Sequence, residues 1–428
     1  MIACLTALPF SLVAQDAPLG VARSVTQDAA RDNTQDYAPK IKVGGQLYLA
    51  AYYDTYQSVD SRDGVSYSFP MAPKMEADRD YDLNAVGQFA MSPYQTRLNV
   101  EATGFRLLNA AARMYIETDF MGSSSNYYQM IRLRHAYLDL RWERDELLLG
   151  QTNNLEMPQE TTSGVLTSGA GSPISILERP VMIRYGRRIG DAFKIYAAAS
   201  YHHVKTGDAE NRETFEATRN NGYPSVEARL QYGGERFLVG VAGGFKSVLP
   251  NLTTHRGRKN NTRNTSYSTT AFLRAQSRSG ATLKLQGVYG TDLSHFGMAG
   301  GYGKLYYAEG TEREYYEYTN FIGLSGWIDL ETPSYNGFRF GLFGGHMQSL
   351  GAENPIDPEA LYAWCPDLHF TGRGSPRVTY TERNFMLGLE YSLYYTRWGK
   401  TFNSHYLPVA SYDITMNHRI LLLARYSF

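Results

Sequence analysis

Long apolar runs are missing from this sequence beyond its first residues. No stretch after the N-terminus approaches the roughly 20 consecutive apolar residues that a membrane-spanning helix needs, and the mean hydropathy is only −0.39. These absences exclude an α-helical membrane protein. They leave a transmembrane β-barrel open, because only every second residue of its strands faces lipid.

Cysteine is scarce, with 2 residues in a chain of 428. Cys4 lies in an N-terminal stretch with the apolar core and small-residue cleavage site of a secretory signal, and we expect cleavage after Ala14. The basic region of such a signal is missing, so the true start codon stays open. Cys365 then remains alone, which predicts no internal disulfide in the mature chain.

Basic and acidic residues are balanced in this chain, so there is no overall excess of positive charge. The chain has 42 Lys and Arg against 42 Asp and Glu, a formal net charge of zero. This balance argues against a nucleic-acid partner. The excess that is present is aromatic, with 34 Tyr, which fits the interfacial girdles of a membrane barrel and also fits a soluble β-rich carbohydrate-binding protein.

The C-terminal stretch 417–428 alternates between two kinds of side chain. One phase is Ile420, Leu422, Ala424, Tyr426 and Phe428, and the other contains two arginines. Successive side chains of a strand point to opposite faces, so this stretch predicts a strand with one apolar face. It resembles the C-terminal signal strand of bacterial outer-membrane barrels, and that resemblance implies that Tyr426 and Phe428 are read by the barrel-assembly machinery.

The same period of two recurs along the chain and predicts an all-β fold. Tight turns and long loops alternate between the strands, as in an outer-membrane antiparallel β-barrel with short periplasmic turns and long extracellular loops. We predict about sixteen strands. The last ones are placed at 383–396, 401–415 and the C-terminal stretch, with a tight turn near 397–400 and a long loop over 349–382. A barrel of this size leaves an aqueous channel.

Three segments follow from this pattern. Residues 1–14 are expected to be the signal peptide, and 15–40 a flexible periplasmic leader. The transmembrane barrel then occupies 41–428, with a loop at 152–178 that folds inward.

The region from Tyr94 to Tyr185 resembles the DcaP-like trimeric porins of Gram-negative bacteria. The resemblance is carried by QTRL at 95–98, IETDF at 116–120, RLRHAY at 132–137, GQT at 150–152, RP at 179–180 and IRY at 183–185. It implies a homotrimer of barrels, each pore being narrowed by an inward-folded third loop, and passage of small anionic solutes such as dicarboxylates. The chain departs from the family where Asn153 follows GQT in place of the usual Trp.

Charged residues in the polar phase of the strands are expected to line the pore. Arginines on one wall would concentrate anions and select for carboxylates. The alternative is that these charges pair with one another and only solvate the lumen. The predicted pore-lining residues are Arg97, Arg113, Glu117, Asp119, Arg184, Arg229, Arg274 and Arg339.

Arg132 and Arg134 do not fit strict alternation. Their strand has Ala136, Leu138 and Leu140 in the same phase, which would put both arginines on the lipid side. Two explanations stay open: a β-bulge that changes the phase, or a position at a subunit interface.

The third loop, 152–178, is expected to form the constriction because it is long and rich in small residues. Its charges are Glu156, Glu160 and Glu178. The alternative is an ordinary extracellular loop, since the choice rests on analogy with the fold.

No cofactor, metal site or enzymatic activity is predicted. His202 and His203 are adjacent on a strand and would point to opposite faces, and no Ser/His/acid constellation is visible. The hypothesis is therefore a porin of the bacterial outer membrane that works by passive diffusion, with outer-membrane lipid and lipopolysaccharide around it. The first alternative is a non-conducting barrel that acts through its extracellular loops as an adhesin or structural protein. The second is an outer-membrane hydrolase.

Overall fold

The chain folds into an all-β structure. The computed structural model describes residues 39–59, 65–122, 127, 129–202, 216–254, 256–307 and 314–428. The signal peptide and nearly all of the leader that the sequence predicts lie outside the described residues, and Lys40 is already the first residue of a strand. Within the described ranges, no helix is long and apolar enough to cross a membrane.

The described residues contain twenty strands, which are joined in one sheet. A short helix α1 (Glu216–Asn220) and two 3-10 turns (Gln159–Thr161 and Leu293–Phe296) lie in the connections. The strands are β1 Lys40–Asp54, β2 Gln88–Ser92, β3 Arg97–Leu107, β4 Ala110–Asp119, β5 Arg132–Arg141, β6 Asp145–Gln151, β7 Val181–Ile189, β8 Phe193–Tyr201, β9 Ser225–Gly233, β10 Phe237–Val248, β11 Asn264–Gln276, β12 Thr282–Thr291, β13 Gly300–Leu305, β14 Tyr318–Glu331, β15 Phe338–Ala352, β16 Ile356–Trp364, β17 Leu368–Glu382, β18 Phe385–Phe402, β19 Pro408–Ser411 and β20 Thr415–Ser427.

Sixteen of these strands form a closed antiparallel barrel. The ring runs from β1 through its neighbours in chain order to β20, which pairs back onto β1 with Ala50 opposite Leu423. Strand β2 continues the line of β3 along β1 beyond Pro93. The other strands outside the ring, β13, β16 and β19, lie in the loops. The predicted fold class and strand number are confirmed.

The outer face of the barrel is apolar because one phase of each strand carries aliphatic and aromatic side chains. Leu98 and Val100 of β3 and Ile116 of β4 are exposed on this face, whereas Arg97 and Glu117 lie in the other phase. The apolar residues of each strand are exposed and the polar residues that alternate with them are less exposed, which is the opposite of the distribution in a soluble protein. A barrel surrounded by lipid shows this pattern.

Two strand assignments from the sequence were wrong, and the first concerns β17. Residues 368–382 form β17 and do not belong to a long loop, while 397–400 lie inside β18 and do not make a turn. The turn joins β17 to β18 at 383–384, where Arg383 has a φ of +54°. Strand β17 escapes detection because Pro376 lacks a backbone donor and interrupts its ladder with β18, and its outward positions hold Gly372 and Gly374.

Residues 401–415 do not form a barrel strand, although the sequence predicts one there. They are the last connection at the loop end of the barrel and contain only the short β19. The predicted alternation therefore becomes complete. The turn-end connections are 108–109, 142–144, 190–192, 234–236, 277–281, 332–337 and 383–384, and the loop-end connections are 55–96, 120–131, 152–180, 202–224, 249–263, 292–317, 353–367 and 403–414.

A hydrophobic cluster lies inside the barrel near the loop end. Side chains of the loops, such as Phe69, Ile174 and Phe296, pack there against inward residues of the wall, such as Trp327 and Phe343. This packing fills the lumen beside β12 to β18. The inner face of β3 to β7 carries mostly charged side chains instead.

Candidate functional site

The inner face of β3 and β4 carries the first group of predicted pore-lining residues. Arg97 is paired in register with Asp119, and Asn99 with Glu117. Arg113 follows in the same phase of β4, where its Nε donates to Glu101 and its Nη1 donates to the Tyr137 hydroxyl at 2.7 Å. The structure therefore brings Arg97, Arg113, Glu117 and Asp119 together on one wall.

Arg132 and Arg134 both point into the barrel. The pairing of β4 with β5 shifts between Glu117 and Thr118, so that Asp119 faces Arg132 and Glu117 faces His135. The extra residue in β5 is Arg134, and this bulge changes the phase of the strand. The bulge explanation is the correct one for both residues, and neither is placed on the lipid side.

Arg132 and Arg134 form ion pairs with the two acids of β4, Glu117 and Asp119. Arg132 donates from Nε and Nη2 to the two oxygens of Asp119 at 3.0 and 2.6 Å. Arg134 donates from Nε to Glu117 at 2.6 Å and from Nη1 to Asp119 at 3.0 Å. Arg97 stands at 3.9 Å from Glu117. These two-point contacts use the planar fork of the guanidinium.

Arg179 adds a fourth arginine, which the sequence reasoning did not include in the pore. It ends the third loop just before β7 and lies close enough to Arg97, Arg132 and Arg134 to interact electrostatically with all three. Among the described residues it makes no ion pair, and its Nε has no hydrogen-bond partner. The Nε atoms of Arg97 and Arg184 are likewise without a partner. The only signal for Arg179 in the sequence is its place in the RP motif.

This group of Arg97, Arg132, Arg134 and Arg179, with Glu117 and Asp119, is called the arginine cluster below. Its four guanidinium groups face two carboxylates. His135 lies beside it, with Nδ1 at 3.1 Å from the Thr152 hydroxyl. The arginine cluster therefore carries an excess of positive charge.

The other four predicted residues also lie in the inward phase, but apart from the cluster. Arg184 pairs with Glu146 at 3.2 Å, and Arg229 donates to the Leu155 carbonyl at 3.1 Å. Arg274 donates to the Glu235 carbonyl in a turn, and Arg339 stands at 3.9 Å from Glu331 at the turn end. These contacts spread the four residues around the wall from β7 to β15.

A second part of the wall, formed by β14, β17 and β18, holds arginines that are matched by acids. Arg373 donates to Glu390 at 2.6 Å, and Arg377 donates to Asp329 at 2.7 Å, both pairs being buried. Arg373 and Arg377 were not predicted to line the pore, because they lie on β17 and the sequence pattern assigns that stretch to a loop. Their carboxylate partners cancel their charge, so the two parts of the wall differ.

The third loop folds into the barrel and is bonded to the inner wall at many points. Gly164 N donates to Asp329 at 2.6 Å, Leu166 N donates to Glu390 at 2.8 Å, and Ser325 donates to the Ile174 carbonyl at 2.5 Å. The loop thereby reaches strands β14 and β18, far around the ring from its ends at β6 and β7. Its backbone groups are satisfied by the wall, as buried polar groups require.

Of the three glutamates predicted for the constriction, Glu156 and Glu178 are buried and bond the third loop to other parts of the chain. Glu156 is buried and accepts hydrogen bonds from Ser268 and, at 2.7 Å, from Thr270 on β11. Burial raises the pKa of the Glu156 carboxyl to about 7, and the nearby Glu227 and Glu178 act in the same direction. Glu160 is exposed in the lumen.

Glu178 lies in a separate buried group. Among the described residues, Glu178, His202 and His295 are close enough to share one metal ion, with their ligand atoms all within 4.8 Å of one another. His203 lies outside the described residues. From the sequence, only the adjacent His203 was weighed as a second metal ligand beside His202. Nothing in the sequence indicated that His295 would fold against His202.

The chain end closes the barrel. Phe428 N donates to the Gly45 carbonyl at 3.1 Å, and Gly45 N donates back to Phe428 at 3.1 Å. A Cβ at Gly45 would lie 2.4 Å from the Arg97 carbonyl oxygen and 2.8 Å from the Phe428 ring, so only glycine fits there. Tyr426 and Phe428 are exposed on the outer face. Their role as an assembly signal stays a prediction.

Comparison with known proteins was made by sequence and by structure. No protein-family model and no curated protein matches the chain. The crystal structure of the outer membrane channel DcaP of Acinetobacter baumannii superposes with a TM-score of 0.65 at 16% identity, covering 91% of this chain and 97% of the channel.

Two other solved structures share the fold more distantly. The trimer form of OmpT, an outer membrane protein of Vibrio cholerae, gives a TM-score of 0.52 at 10% identity, covering 91% of this chain and 100% of OmpT. OprB of Pseudomonas putida gives 0.50 at 7% identity, covering 91% of this chain and 94% of OprB. The resemblance to DcaP that the sequence motifs indicated over 94–185 is thus confirmed for the fold of nearly the whole chain.

Proposed function

We propose that this chain is an outer-membrane porin through which small hydrophilic anions diffuse passively. The fold that it shares with an outer membrane channel supports the general role, and the apolar outer face supports the location. The observation that carries the anion preference is the arginine cluster. Carboxylate-bearing solutes are the class that four guanidinium groups against two carboxylates would attract.

The anion preference depends on a difference in net charge between two parts of the barrel wall. The arginines of β17 are matched by acids of β14 and β18, whereas the arginine cluster keeps about two positive charges in excess. In a lumen with low-dielectric walls, such an excess raises the local concentration of anions. Arg179 makes no ion pair among the described residues, so its charge is the one in the cluster least compensated by a carboxylate of the wall, and a guanidinium can contact a solute carboxylate through two atoms.

The third loop would set the width of the path. It occupies the lumen beside β11 to β18, so the remaining passage runs along the charged wall of β3 to β7. Glu160 is the predicted constriction residue that stays exposed there. Its negative charge, which acts on Arg229 of β9, would together with the arginine cluster create a field across the passage, which orients polar solutes and disfavours apolar ones.

Assembly as a homotrimer is part of the proposal. OmpT of Vibrio cholerae was solved in a trimer form, and the sequence resemblance implies the same state. The outer face would contact lipid, lipopolysaccharide and the neighbouring subunits. Insertion would depend on the barrel-assembly machinery, and no cofactor or catalytic group is invoked.

A non-conducting barrel is the second candidate, because loops fill part of the lumen near the loop end. The test is single-channel recording of the purified protein in a planar bilayer. The proposal predicts stepwise openings in groups of three. Well-folded protein that passes no current would instead favour an adhesin or structural role.

A double variant separates the candidates further. Arg97→Ala with Arg113→Ala removes two lumen charges, so a porin would change its ion selectivity. An adhesin would keep its binding behaviour unchanged. Arg278→Gln, on the exposed turn 277–281, makes a charge change away from the cluster and serves as the control.

A further inference from the structure

A buried group of imidazoles and carboxylates lies inside the barrel near the loop end. It gathers residues from separate parts of the chain: Glu178 ends the third loop, His202 follows β8, Glu227 lies on β9 and His295 lies on the 3-10 turn after β12. All four side chains are buried. None of these residues lies in the arginine cluster.

The distances within this group are short. His202 Nδ1 lies 2.6 Å from Glu178 Oε1, and its Nε2 lies 3.2 Å from Glu227 Oε1. The rings of His202 and His295 are 4.8 Å apart between centroids. The ligand atoms of Glu178, His202 and His295 all fall within 4.8 Å of one another.

We propose that Glu178, His202 and His295 bind one divalent first-row metal ion of the zinc type. Two imidazole nitrogens and one or two carboxylate oxygens are a donor set that suits Zn²⁺ in four-coordinate geometry. Ligands about 2 Å from the ion stand a little over 3 Å apart. Glu178 and His202 are already closer than this at 2.6 Å, so the main movement needed is an approach of His295 by up to about 1.5 Å.

The charge of the surroundings favours a cation. Glu178, Glu227 and Glu156 form a group of buried carboxylates that are close enough to act on one another electrostatically. The second oxygen of Glu227 is buried and has no hydrogen-bond partner among the described residues. A divalent ion bound by Glu178 and His202 Nδ1 would be offset in charge by these carboxylates, and Glu227 would accept a hydrogen bond from His202 Nε2.

The neighbours hold the ligands in orientations suited to an ion. Asn154 donates from Nδ2 to Glu178 at 2.7 Å and to Glu227 at 3.2 Å, which fixes both carboxylates. His295 Nδ1 lies 3.1 Å from the Asp292 carbonyl oxygen. A proton on that nitrogen leaves Nε2 free to bind, and such support from a carbonyl is usual for metal-binding histidines.

Lys246 completes this arrangement. Its Nζ lies 3.0 Å from the Asp292 carbonyl oxygen and 2.7 Å from Asp292 Oδ2, and it also lies 3.0 Å from His295 Nδ1. With the proton on Nδ1, Lys246 turns its own hydrogens to Asp292. The ion would then link the end of the third loop to the segment after β8 and to the 3-10 turn after β12. Its role would be to hold the third loop inside the barrel.

The alternative is a group without an ion, in which His202 is a protonated bridge between the two glutamates. Burial lowers the basicity of this imidazole, but the carboxylates of Glu178 and Glu227 outweigh burial and raise the pKa of His202 to about 10. Both states use the same side chains. Metal binding by the folded protein distinguishes them.

The test uses untagged full-length protein, refolded in detergent, treated with a chelator and dialysed. ZnCl₂ is titrated by calorimetry, and bound zinc is counted by elemental analysis after gel filtration. We expect one zinc ion per chain and a higher melting temperature with zinc, and no such effect of MgCl₂. His295→Gln should weaken zinc binding at least tenfold, while His418→Gln, on β20 outside the group, should leave it unchanged.

A second readout on the unaltered protein covers the case in which His295→Gln fails to fold. Co²⁺ bound by nitrogen and oxygen ligands in a four-coordinate site gives strong visible absorption, which an octahedral surface site does not. Strong absorption supports the proposal. Wild-type protein that is folded but binds neither Zn²⁺ nor Co²⁺ overturns it, as does a folded His295→Gln variant with undiminished affinity.

Discussion

Arg419 on the last strand and Asp54 on the first face each other directly across the seam that closes the barrel. Arg419 donates from Nε to Asp54 Oδ1 at 2.8 Å and from Nη2 to Oδ2 at 2.5 Å, and both side chains are buried. Asn417 donates to the same carboxylate at 2.7 Å. The seam therefore depends on a buried ion pair as well as on the strand ladder.

Breaking this pair from one side should destabilise the barrel strongly. Asp54→Asn leaves the Arg419 guanidinium buried without a counter-charge, and we expect a loss of about 3–5 kcal/mol in the free energy of unfolding. The double variant Asp54→Leu with Arg419→Met should recover most of that loss, because it leaves no buried charge. Urea unfolding followed by heat-modifiable gel migration measures both.

An exposed pair supplies the matched control for the seam. Arg187 and Asp145 stand 3.1 Å apart at the surface, and Asp145→Asn should change the unfolding free energy by less than about 1 kcal/mol. Equal effects of the two single Asp→Asn variants would show that the seam pair is no more important than a surface one.

Glu156 predicts a pH dependence of stability. It lies on the third loop, and burial raises its pKa from 4.5 to about 7. Because the folded pKa is the higher one, protonation favours the folded state. This stabilisation is complete below pH 4.5 and is lost as the pH rises through about 7.

Glu156→Gln should remove that contribution, because glutamine stays neutral. Between pH 4.5 and 7 the unfolding free energy of the wild type should fall more steeply than that of the variant, by up to ~3 kcal/mol at ~1.4 kcal/mol per pKa unit. Urea titrations at several pH values measure the difference. Parallel slopes for the two proteins would mean that Glu156 is charged in the folded loop.

Gly388 should control how closely the third loop lies on the wall. A Cβ at Gly388 would come within 2.5 Å of Leu166 Cδ1, whereas Gly374 on the adjacent strand has nothing within 4 Å. Gly388→Val should therefore push the loop tip away from β18 and alter the single-channel conductance. Gly374→Val is the control and should leave conductance at the wild-type value; an equal change in both would point to the strands and not to the loop.

The alternation of apolar and polar residues was enough to predict the barrel, the number of its strands and the inward phase of residues such as Arg97 and Arg184. The number is right because the missed strand β17 is offset by the strand wrongly predicted at 401–415. It failed where the local sequence breaks the period. Pro376 and the glycines of β17 hid one strand, and the bulge at Arg134 reversed the phase of part of β5. Periodicity carries no information about such insertions.

Contacts between distant parts of the chain could not be predicted from one sequence. Arg179 approaches Arg134 only because the third loop folds inward and returns to β7. His202 meets His295 only because two loops enter the same end of the barrel. Each of these residues sits in an unremarkable stretch, so its role becomes visible only when the ring of strands is closed.

The central claim is that the arginine cluster makes the pore select for anions. At an effective dielectric constant of about 20, a unit charge about 8 Å away changes the energy of an anion by about 2 kcal/mol. Removing one such charge should therefore lower the ratio of anion to cation permeability several-fold. Arg179 is the residue to remove, because no carboxylate partner would be left unpaired by its loss.

The most direct measurement is the reversal potential of Arg179→Gln in a planar bilayer under a KCl gradient, beside the wild type and Arg278→Gln. The account predicts an anion-selective potential for the wild type and for Arg278→Gln, and a shift toward cations for Arg179→Gln. A cation-selective wild type, or the same potential for all three proteins, would contradict the claim that this wall sets selectivity.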